Sequence, residues 1–399
     1  MNQLTSEDKN NKTPKQALIF GSLNHVLSDF LSALMIPILI LVKDDPDLGI
    51  NYTQVGIIRM LHTGAAGIAQ IPFGFMTNVF NEAWLIIIGN AWVTIGLIIL
   101  SFVQNYSSIA FVSLIGGIGG GAQHPLATNL VSRSYDKQNQ STAIGTVNFA
   151  GDIGKILAPL CGTFILMTVG WRKGLKFTGI GTLILLACYS LSVFSNFKHF
   201  TAKNTSNKSH NIYKPSLPFL ILCCALFIDS GIRTSAITFI PFALKAIHVG
   251  TEYVLFLLTI LLVGGAIGKI LCGWLNERYS FISIVLFTKG IAALIFFIFI
   301  FAENVPLVPL MLILGFGLNG TSSILYGQVG KTVSISSRSS SYAYLYTIGE
   351  IGSSVFPFLI GILSDIYSIT LTNSVFGVCA LIVIGICFFI KNTQINNNL

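Results

Sequence analysis

The sequence contains few charged residues. Only 10% of its 399 residues are Asp, Glu, Lys or Arg, whereas a soluble domain carries about 25%. Hydrophobic residues make up 53% of the chain. A chain with so little polar material cannot cover a globule in water, and this composition predicts an integral membrane protein.

Sequence motifs for several kinds of chemistry are also absent. The seven cysteines fall in apolar stretches without a CxxC or Cys/His pattern, so neither a disulfide nor a metal site is expected. No GxxxxGK[ST], HExxH or GxSxG sequence occurs, which argues against ATP hydrolysis and against an enzyme. We therefore expect no cofactor. The net charge of +8 is attributed to lysines and arginines in the loops of a membrane protein. No nucleic-acid partner is therefore predicted.

Twelve apolar stretches have the length of a membrane span, which is about 20 residues. The predicted helices are 16–42, 52–77, 84–104, 108–133, 138–168, 174–195, 216–244, 254–275, 281–302, 305–332, 339–364 and 372–390. The polar stretch 196–215 predicts a cytoplasmic linker between two six-helix bundles, 1–195 and 216–399. No cleavage site precedes the first helix, so it is expected to be retained.

Lysine and arginine indicate the orientation of these helices. Thirteen of them fall in segments on the side of the N-terminus, and five fall in loops on the other side. Positive residues concentrate in cytoplasmic loops, so both termini are predicted to be cytoplasmic. The cluster at 172–176 opposes this trend.

The chain also contains an internal repeat. Residues 151–159 read GDIGKILAP, and residues 349–357 read GEIGSSVFP. Three more pairs recur in order at nearly the same separation, and they are Pro37 with Pro241, Gly74 with Gly273, and Gly117 with Gly315. Two parallel copies of a six-helix unit are a common plan of secondary transporters.

Ionisable residues inside the predicted spans are the candidate functional groups, because a charge near the bilayer centre costs about 2.5–3.5 kcal/mol. Four pairs have the i,i+3 or i,i+4 spacing that places them on one helix face, and they are His25/Asp29, Asp229/Arg233, Arg59/His62 and Asp152/Lys155. We expect proton coupling by Asp29, His25, Asp152 and Glu350. We expect substrate binding by Arg59, His62, His124, Lys155, Asp229 and Arg233.

Structural roles for these groups are the alternatives. Asp229 with Arg233 could be a fixed salt bridge, and the repeated acids Asp152 and Glu350 could tether helices. Arg59, Lys269 and Lys289 could extend to the membrane surface, with Lys289 expected to do so. His124, before a proline, could be a packed core residue.

The loops after the second and eighth predicted helices carry a family resemblance. They begin GFMTNVF and GWLNERYS, and both resemble the Gly-x-x-x-Asp-Arg loop of the major facilitator superfamily. The resemblance implies an all-α membrane fold of twelve helices in two six-helix pseudo-repeats. It also implies a gating role for Gly74, Asn78, Gly273, Glu277 and Arg278. Asn78 and Val79 replace the acid and the base in the first loop. GDIGKILAPLCG resembles the motif of antiporter members.

Three further stretches resemble the fosmidomycin-resistance-like branch, and they are LNHVLSDFLSALMIP, NYTQVGIIRMLHTGAAGIAQIPFG and GGIGGGAQHPLA. This resemblance implies a monomeric, proton-driven exporter in the bacterial inner membrane. The cationic residues Arg59, Lys155 and Arg233 favour a small anionic or amphipathic substrate such as a drug, an organic acid or a siderophore.

Two other functions stay open at this point. Phe111, Val112 and Ser113 lie where many proton antiporters have an arginine, so a proton symporter that imports an amino acid, an organic acid or an iron-siderophore is the first alternative. A membrane sensor or membrane-embedded enzyme is the second. A sensor should carry a soluble output domain, and no segment of this sequence is long enough to form one.

Overall fold

The computed structural model describes residues 6–77, 79–136, 139–194, 216–299, 306–333 and 338–396, and every regular element in these ranges is helical. A 3-10 helix, Ile118–Ala122, precedes α6, and a π-helix, Gly162–Leu166, precedes α8. The α-helices are α1 (Ser6–Ala33), α2 (Met35–Asp44), α3 (Tyr52–Met76), α4 (Glu82–Leu100), α5 (Tyr106–Gly117), α6 (Gln123–Ser134), α7 (Gln140–Cys161), α8 (Met167–Val169), α9 (Trp171–Phe194), α10 (Leu217–Ala246), α11 (Thr251–Leu275), α12 (Phe281–Ile298), α13 (Leu307–Gly327), α14 (Val329–Thr332), α15 (Arg338–Ile366) and α16 (Ile369–Asn396).

These helices account for twelve membrane passes. Nine stretches of the described chain are long and apolar enough to cross a membrane. The other three passes are α3, α5 through α6, and α9. The first of these carries Arg59 and His62, and the second is interrupted by the 3-10 helix. The prediction of an all-α membrane fold with twelve helices is confirmed.

Four passes that the sequence predicts as continuous helices are interrupted, and these are the first, the fourth, the fifth at the π-helix and the tenth at Gln328. The first pass is interrupted between Ala33 and Met35, because Pro37 has no N–H to bond the carbonyl of Ala33. The fourth pass tightens into the 3-10 helix within the sequence GGIGGGA. Glycine is about 1 kcal/mol less favourable than alanine in a helix, so this segment resists a local change of helix type only weakly.

The described residues form two compact units. Unit 1 contains the described residues within 6–38 and 65–194, and unit 2 contains those within 39–64 and 216–396. In unit 1, α1 packs along α7 and α6, and α4 packs against α5 and α9. In unit 2, α10 packs along α15 and α16, and α11 packs along α13. The predicted linker, 196–215, lies outside the described residues.

Residues 39–64 join unit 2 through the start of α3. The Asp365 carboxylate, near the end of α15, accepts hydrogen bonds from the backbone N–H of Tyr52 at 2.9 Å and of Thr53 at 2.7 Å. The Thr53 hydroxyl donates to the same carboxylate at 2.6 Å. A carboxylate at a helix N-terminus is stabilised by the unpaired N–H groups and by the helix dipole. Asp365 therefore anchors this end of α3.

The repeated GDIG and GEIG sequences each contain a glycine at a close helix crossing. At Gly154 of α7, an added Cβ would overlap the backbone carbonyl oxygen of Val26 on α1. At Gly352 of α15, it would overlap the carbonyl oxygen of Phe227 on α10. Small residues allow membrane helices to approach closely. The second glycine of each repeat thus fixes a helix crossing, and the acid two residues earlier is positioned by that crossing.

We predict that Gly154→Ala lowers stability by about 1–3 kcal/mol, because the new methyl group must displace backbone at the crossing. Gly145, on the same helix, has no atom within 4 Å of an added Cβ. Gly145→Ala is therefore the matched control and should leave stability unchanged or slightly higher. Thermal unfolding of the purified variants in detergent measures the difference. Equal midpoints for the two variants would contradict a tight crossing at Gly154.

Candidate functional site

Unit 1 brings four titratable side chains around Asp29. His25, one turn earlier on α1, lies with Nε2 at 3.4 Å from Oδ2 of Asp29. Lys155 of α7 places Nζ at 2.9 Å from the same oxygen and at 3.2 Å from Oδ1 of Asp152. His124 of α6 lies with Nε2 at 3.7 Å from Oδ1 of Asp29. The cluster therefore joins three helices.

Exposure differs sharply within this cluster. The side chains of His25 and Asp29 are 3% and 5% exposed, whereas those of His124 and Lys155 are 46% and 38% exposed. The His124 ring meets the His25 ring edge to face, with 4.9 Å between centroids. The cluster thus runs from two open groups to two buried ones. His124 is not a buried core residue.

Gly151, the first glycine of GDIG, makes room for this cluster. An added Cβ at this position would lie at 2.7 Å from Nε2 of His25 and would also overlap the Asp29 carboxylate. A side chain here would separate α7 from the polar face of α1. The first glycine therefore allows Lys155 and Asp152 to reach Asp29 and its neighbours.

His25, Asp29 and His124 also offer one potential metal-ligand atom each, all within 4.8 Å of one another. The Lys155 ammonium group already lies against the Asp29 carboxylate. A divalent cation at this position would be repelled by that ammonium group. We therefore interpret the group as an ion-pair site.

A second cluster lies in unit 2 around Asp229 of α10. The Lys289 ammonium group, from α12, forms an ion pair with Oδ1 of Asp229 and donates to the carbonyl of Leu318 at 3.1 Å. Both charged side chains are almost fully buried, at 1% and 0% exposed. The prediction that Lys289 extends to the membrane surface is wrong, because its charge is held inside by Asp229. Spacing within one helix could not predict this contact, because the contact joins α10 to α12.

Arg233 lies next to this ion pair. Its NH1 is 3.9 Å from Oδ2 of Asp229, and its NH2 donates to the Ser230 hydroxyl at 3.2 Å. The Arg233 side chain is 20% exposed. The Asp229 carboxylate is therefore shared by two cations, and Lys289 holds it more closely.

The remaining candidate residues of unit 2 lie on α3 and α15. Glu350 of α15 interacts electrostatically with Arg59 of α3 and with Tyr326 of α13. His62, one turn after Arg59, is buried. Glu350 thus has a cation from another helix near it, whereas Asp152 has Lys155 from its own helix.

The intrahelical contacts expected from spacing are observed for His25/Asp29, Asp152/Lys155 and Asp229/Arg233. Of the predicted gating residues, Gly74 and Gly273 are exposed and have no atom within 4 Å of an added Cβ. Glu277 and Arg278 are also exposed, and the Arg278 guanidinium lies 4.1 Å from the centre of the Trp274 ring. Asn78 lies outside the described residues.

Twelve membrane helices with acids and bases paired inside each unit are typical of a membrane transporter. The family model of the Major Facilitator Superfamily matches residues 18–217 and 222–397. The chain belongs to this superfamily, as the loop motifs predict. It is a multi-pass membrane transporter for a small-molecule substrate and not an enzyme.

Comparisons with individual proteins agree with this assignment. The uncharacterized MFS-type transporter YfnC of Bacillus subtilis is 25% identical over 394 residues, covering 94% of this chain and 92% of YfnC. The probable L-galactonate transporter of Escherichia coli is 25% identical over 154 residues, covering 38% of this chain and 34% of that protein.

Solved structures show the same fold. The crystal structure of a bacterial homolog of the human lysosomal transporter Spinster, inward-facing and occupied, has a TM-score of 0.81 at 13% identity, covering 96% of this chain and 97% of that one. The nucleoside transporter NupG has a TM-score of 0.75 at 15% identity, covering 94% of this chain and 99% of that one.

We predict that Lys289→Met destabilises the protein by roughly 3–5 kcal/mol, because it leaves the buried Asp229 charge without its closest partner. The double variant Lys289→Met/Asp229→Asn removes both charges and should recover most of the loss. Thermal unfolding in detergent measures both effects. A single variant as stable as the wild type would show that Arg233 alone compensates Asp229.

Proposed function

We propose that the protein is a proton-coupled transporter that exports a small anionic or amphipathic organic compound by alternating access. Membership of the superfamily gives the transport function. The coupling ion, the substrate class and the direction are our proposals. The arrangement around Asp29 is the observation that supports proton coupling most strongly.

A proton and the Lys155 ammonium group can compete for the Asp29 carboxylate. With neutral histidines, the cluster contains the carboxylates of Asp29 and Asp152 but only one cation, Lys155. One negative charge is left in excess, so the cluster can accept a proton. His124, which is half exposed, lies close to Asp29 and to His25 and can relay that proton inward.

Protonation of Asp29 would change the partners of Lys155. The ammonium group would then keep only the Asp152 carboxylate, 3.2 Å away. A lysine with one partner fewer can bind an anionic substrate, and loss of the proton would return it to Asp29. This exchange gives each occupancy of the site a different charge balance, which is what biases a transporter between its two conformations. In unit 2, Glu350, the counterpart of Asp152 in the repeat, would take up the proton.

The charges of unit 2 support an anionic substrate. Its cluster contains three cations, Arg59, Arg233 and Lys289. Two carboxylates accompany them, Asp229 and Glu350. One positive charge is in excess in this set. The names of two relatives also contain anions, L-galactonate and nitrate.

Export follows from the resemblance to the fosmidomycin-resistance-like branch. The same groups could drive uptake if proton and substrate moved together, so the experiment below compares both directions. We also propose the bacterial inner membrane, cytoplasmic termini and a monomer. Bacterial relatives and the distribution of lysine and arginine support this placement. An alkaline phosphatase fusion at the C-terminus would be inactive if that end is cytoplasmic.

The proposal predicts substrate-driven proton movement that depends on Asp29. In inverted vesicles energised by respiration, a transported anion should release protons from the lumen, and Asp29→Asn should reduce the release to that of empty vesicles. The compounds to test are fosmidomycin, L-galactonate and a carboxylate siderophore. Asp47→Asn, an acid-to-amide change at an exposed loop residue, is the matched control and should leave the release unchanged.

Counterflow separates coupling from binding. Exchange of labelled for unlabelled substrate needs no net proton movement, so Asp29→Asn should retain it. Proton entry with substrate in right-side-out vesicles, without release in inverted ones, would replace export with symport. Proton release unchanged by Asp29→Asn, Asp152→Asn and Glu350→Gln would mean that these acids only hold helices together.

A further inference from the structure

Two tyrosines of unit 2 have no part in the mechanism above. Tyr326 on α13 and Tyr346 on α15 stack with 4.6 Å between ring centroids and an interplanar angle of 25°. Tyr326 is partly buried, whereas Tyr346 is 46% exposed. Tyr346 therefore has accessible surface that its stacking on Tyr326 does not cover.

The open ring lies on the side of α15 that faces α10. Tyr346, Gly349 and Ser353 follow one another at spacings of three and four residues, which places them on one helix face. The Ser353 hydroxyl donates to the carbonyl of Ser230 on α10 at 3.4 Å. An added Cβ at Gly349 would lie 3.3 Å from the Ser230 hydroxyl and 3.4 Å from the Tyr326 hydroxyl. Tyr346 therefore lies near the junction of α10, α13 and α15.

A cation lies at the same junction. Arg233 is one turn after Ser230 on α10, donates to its hydroxyl, and interacts electrostatically with Tyr326. The Asp229 carboxylate, 3.9 Å from Arg233, is held by Lys289. The Arg233 guanidinium group can therefore form an ion pair with a further anion. Its planar fork matches a carboxylate or a phosphonate.

We propose that Tyr326, Tyr346 and Arg233 form a binding site for anions that carry a flat aromatic or conjugated group. The anionic group would pair with Arg233, and the flat group would stack on the open face of Tyr346. Aromatic rings attract flat π systems beyond simple burial of area. This inference rests on the proposed function, because it assumes that the excess positive charge of unit 2 binds the anionic substrate.

The test compares two carboxylates of equal charge and similar size. Trans-cinnamate has a conjugated ring, and 3-cyclohexylpropionate is its saturated counterpart. Binding is measured by calorimetry on the purified full-length protein in detergent, without a proton gradient. We expect cinnamate to bind about tenfold more tightly than the saturated acid, the upper part of the range for one aromatic stack. Cinnamyl alcohol, which lacks the charge, should bind weakly.

Variants separate the two parts of the site. Tyr346→Leu should remove the preference for cinnamate, and Tyr346→Phe should keep it, because the ring remains. Arg233→Gln should weaken both acids and leave the alcohol unchanged. Tyr344→Leu alters a tyrosine on the opposite side of the same helix and is the matched control, which should bind as the wild type does.

Two results would overturn the proposal. The first is equal binding of the two acids to the wild type, and the second is a preference that persists in Tyr346→Leu. Neither result bears on proton coupling, which is measured in vesicles through Asp29. Conversely, a vesicle result that refutes proton coupling would leave the binding preference unchanged, so the two failures are distinguishable.

Discussion

Asp29 and Asp229 lie where almost no water reaches them, and each carboxylate is held against the ammonium group of a lysine from another helix. Removing two charges from water costs several kcal/mol per ion, and only close pairing with further hydrogen bonds offsets this cost. The helices that carry these lysines must therefore stay in one register with the helices that carry the acids. Lys155 fixes α7 against α1, and Lys289 fixes α12 against α10.

The two units meet this requirement in different ways. In unit 1 the lysine comes from the helix with the GDIG repeat, and the corresponding position of the second repeat is Ser353, which donates to the Ser230 carbonyl instead. In unit 2 the lysine comes from α12. Its counterpart on α4 is Asn90, equally far from the start of its helix, and Asn90 donates to the Asn24 side chain on α1. The same helix contacts thus carry charge in one unit and neutral hydrogen bonds in the other.

This asymmetry gives the two ion pairs different exposures. Lys155 is 38% exposed and has two acids within reach, so its partner can change when a proton or an anion arrives. Lys289 is 1% exposed, and it is fixed by Asp229 and a backbone carbonyl. The glycines at Gly154 and Gly352 let α7 pack closely against α1 and α15 pack closely against α10. Lys155 can therefore change its partner while α7 stays packed against α1, as the proposed coupling requires.

The sequence by itself determined the membrane class, the twelve helices, the internal repeat and the intrahelical pairs, because hydropathy and helical spacing are local properties of the chain. It also located the polar residues worth testing. Only the tertiary structure decided that His124 and Lys155 converge on Asp29, that Lys289 is buried against Asp229, and that Tyr346 stacks on Tyr326. These contacts join separate helices, and their geometry follows from helix crossings set by close backbone approach at glycines. Sequence spacing finds the repeated glycines, but it does not show which residues of another helix lie opposite them.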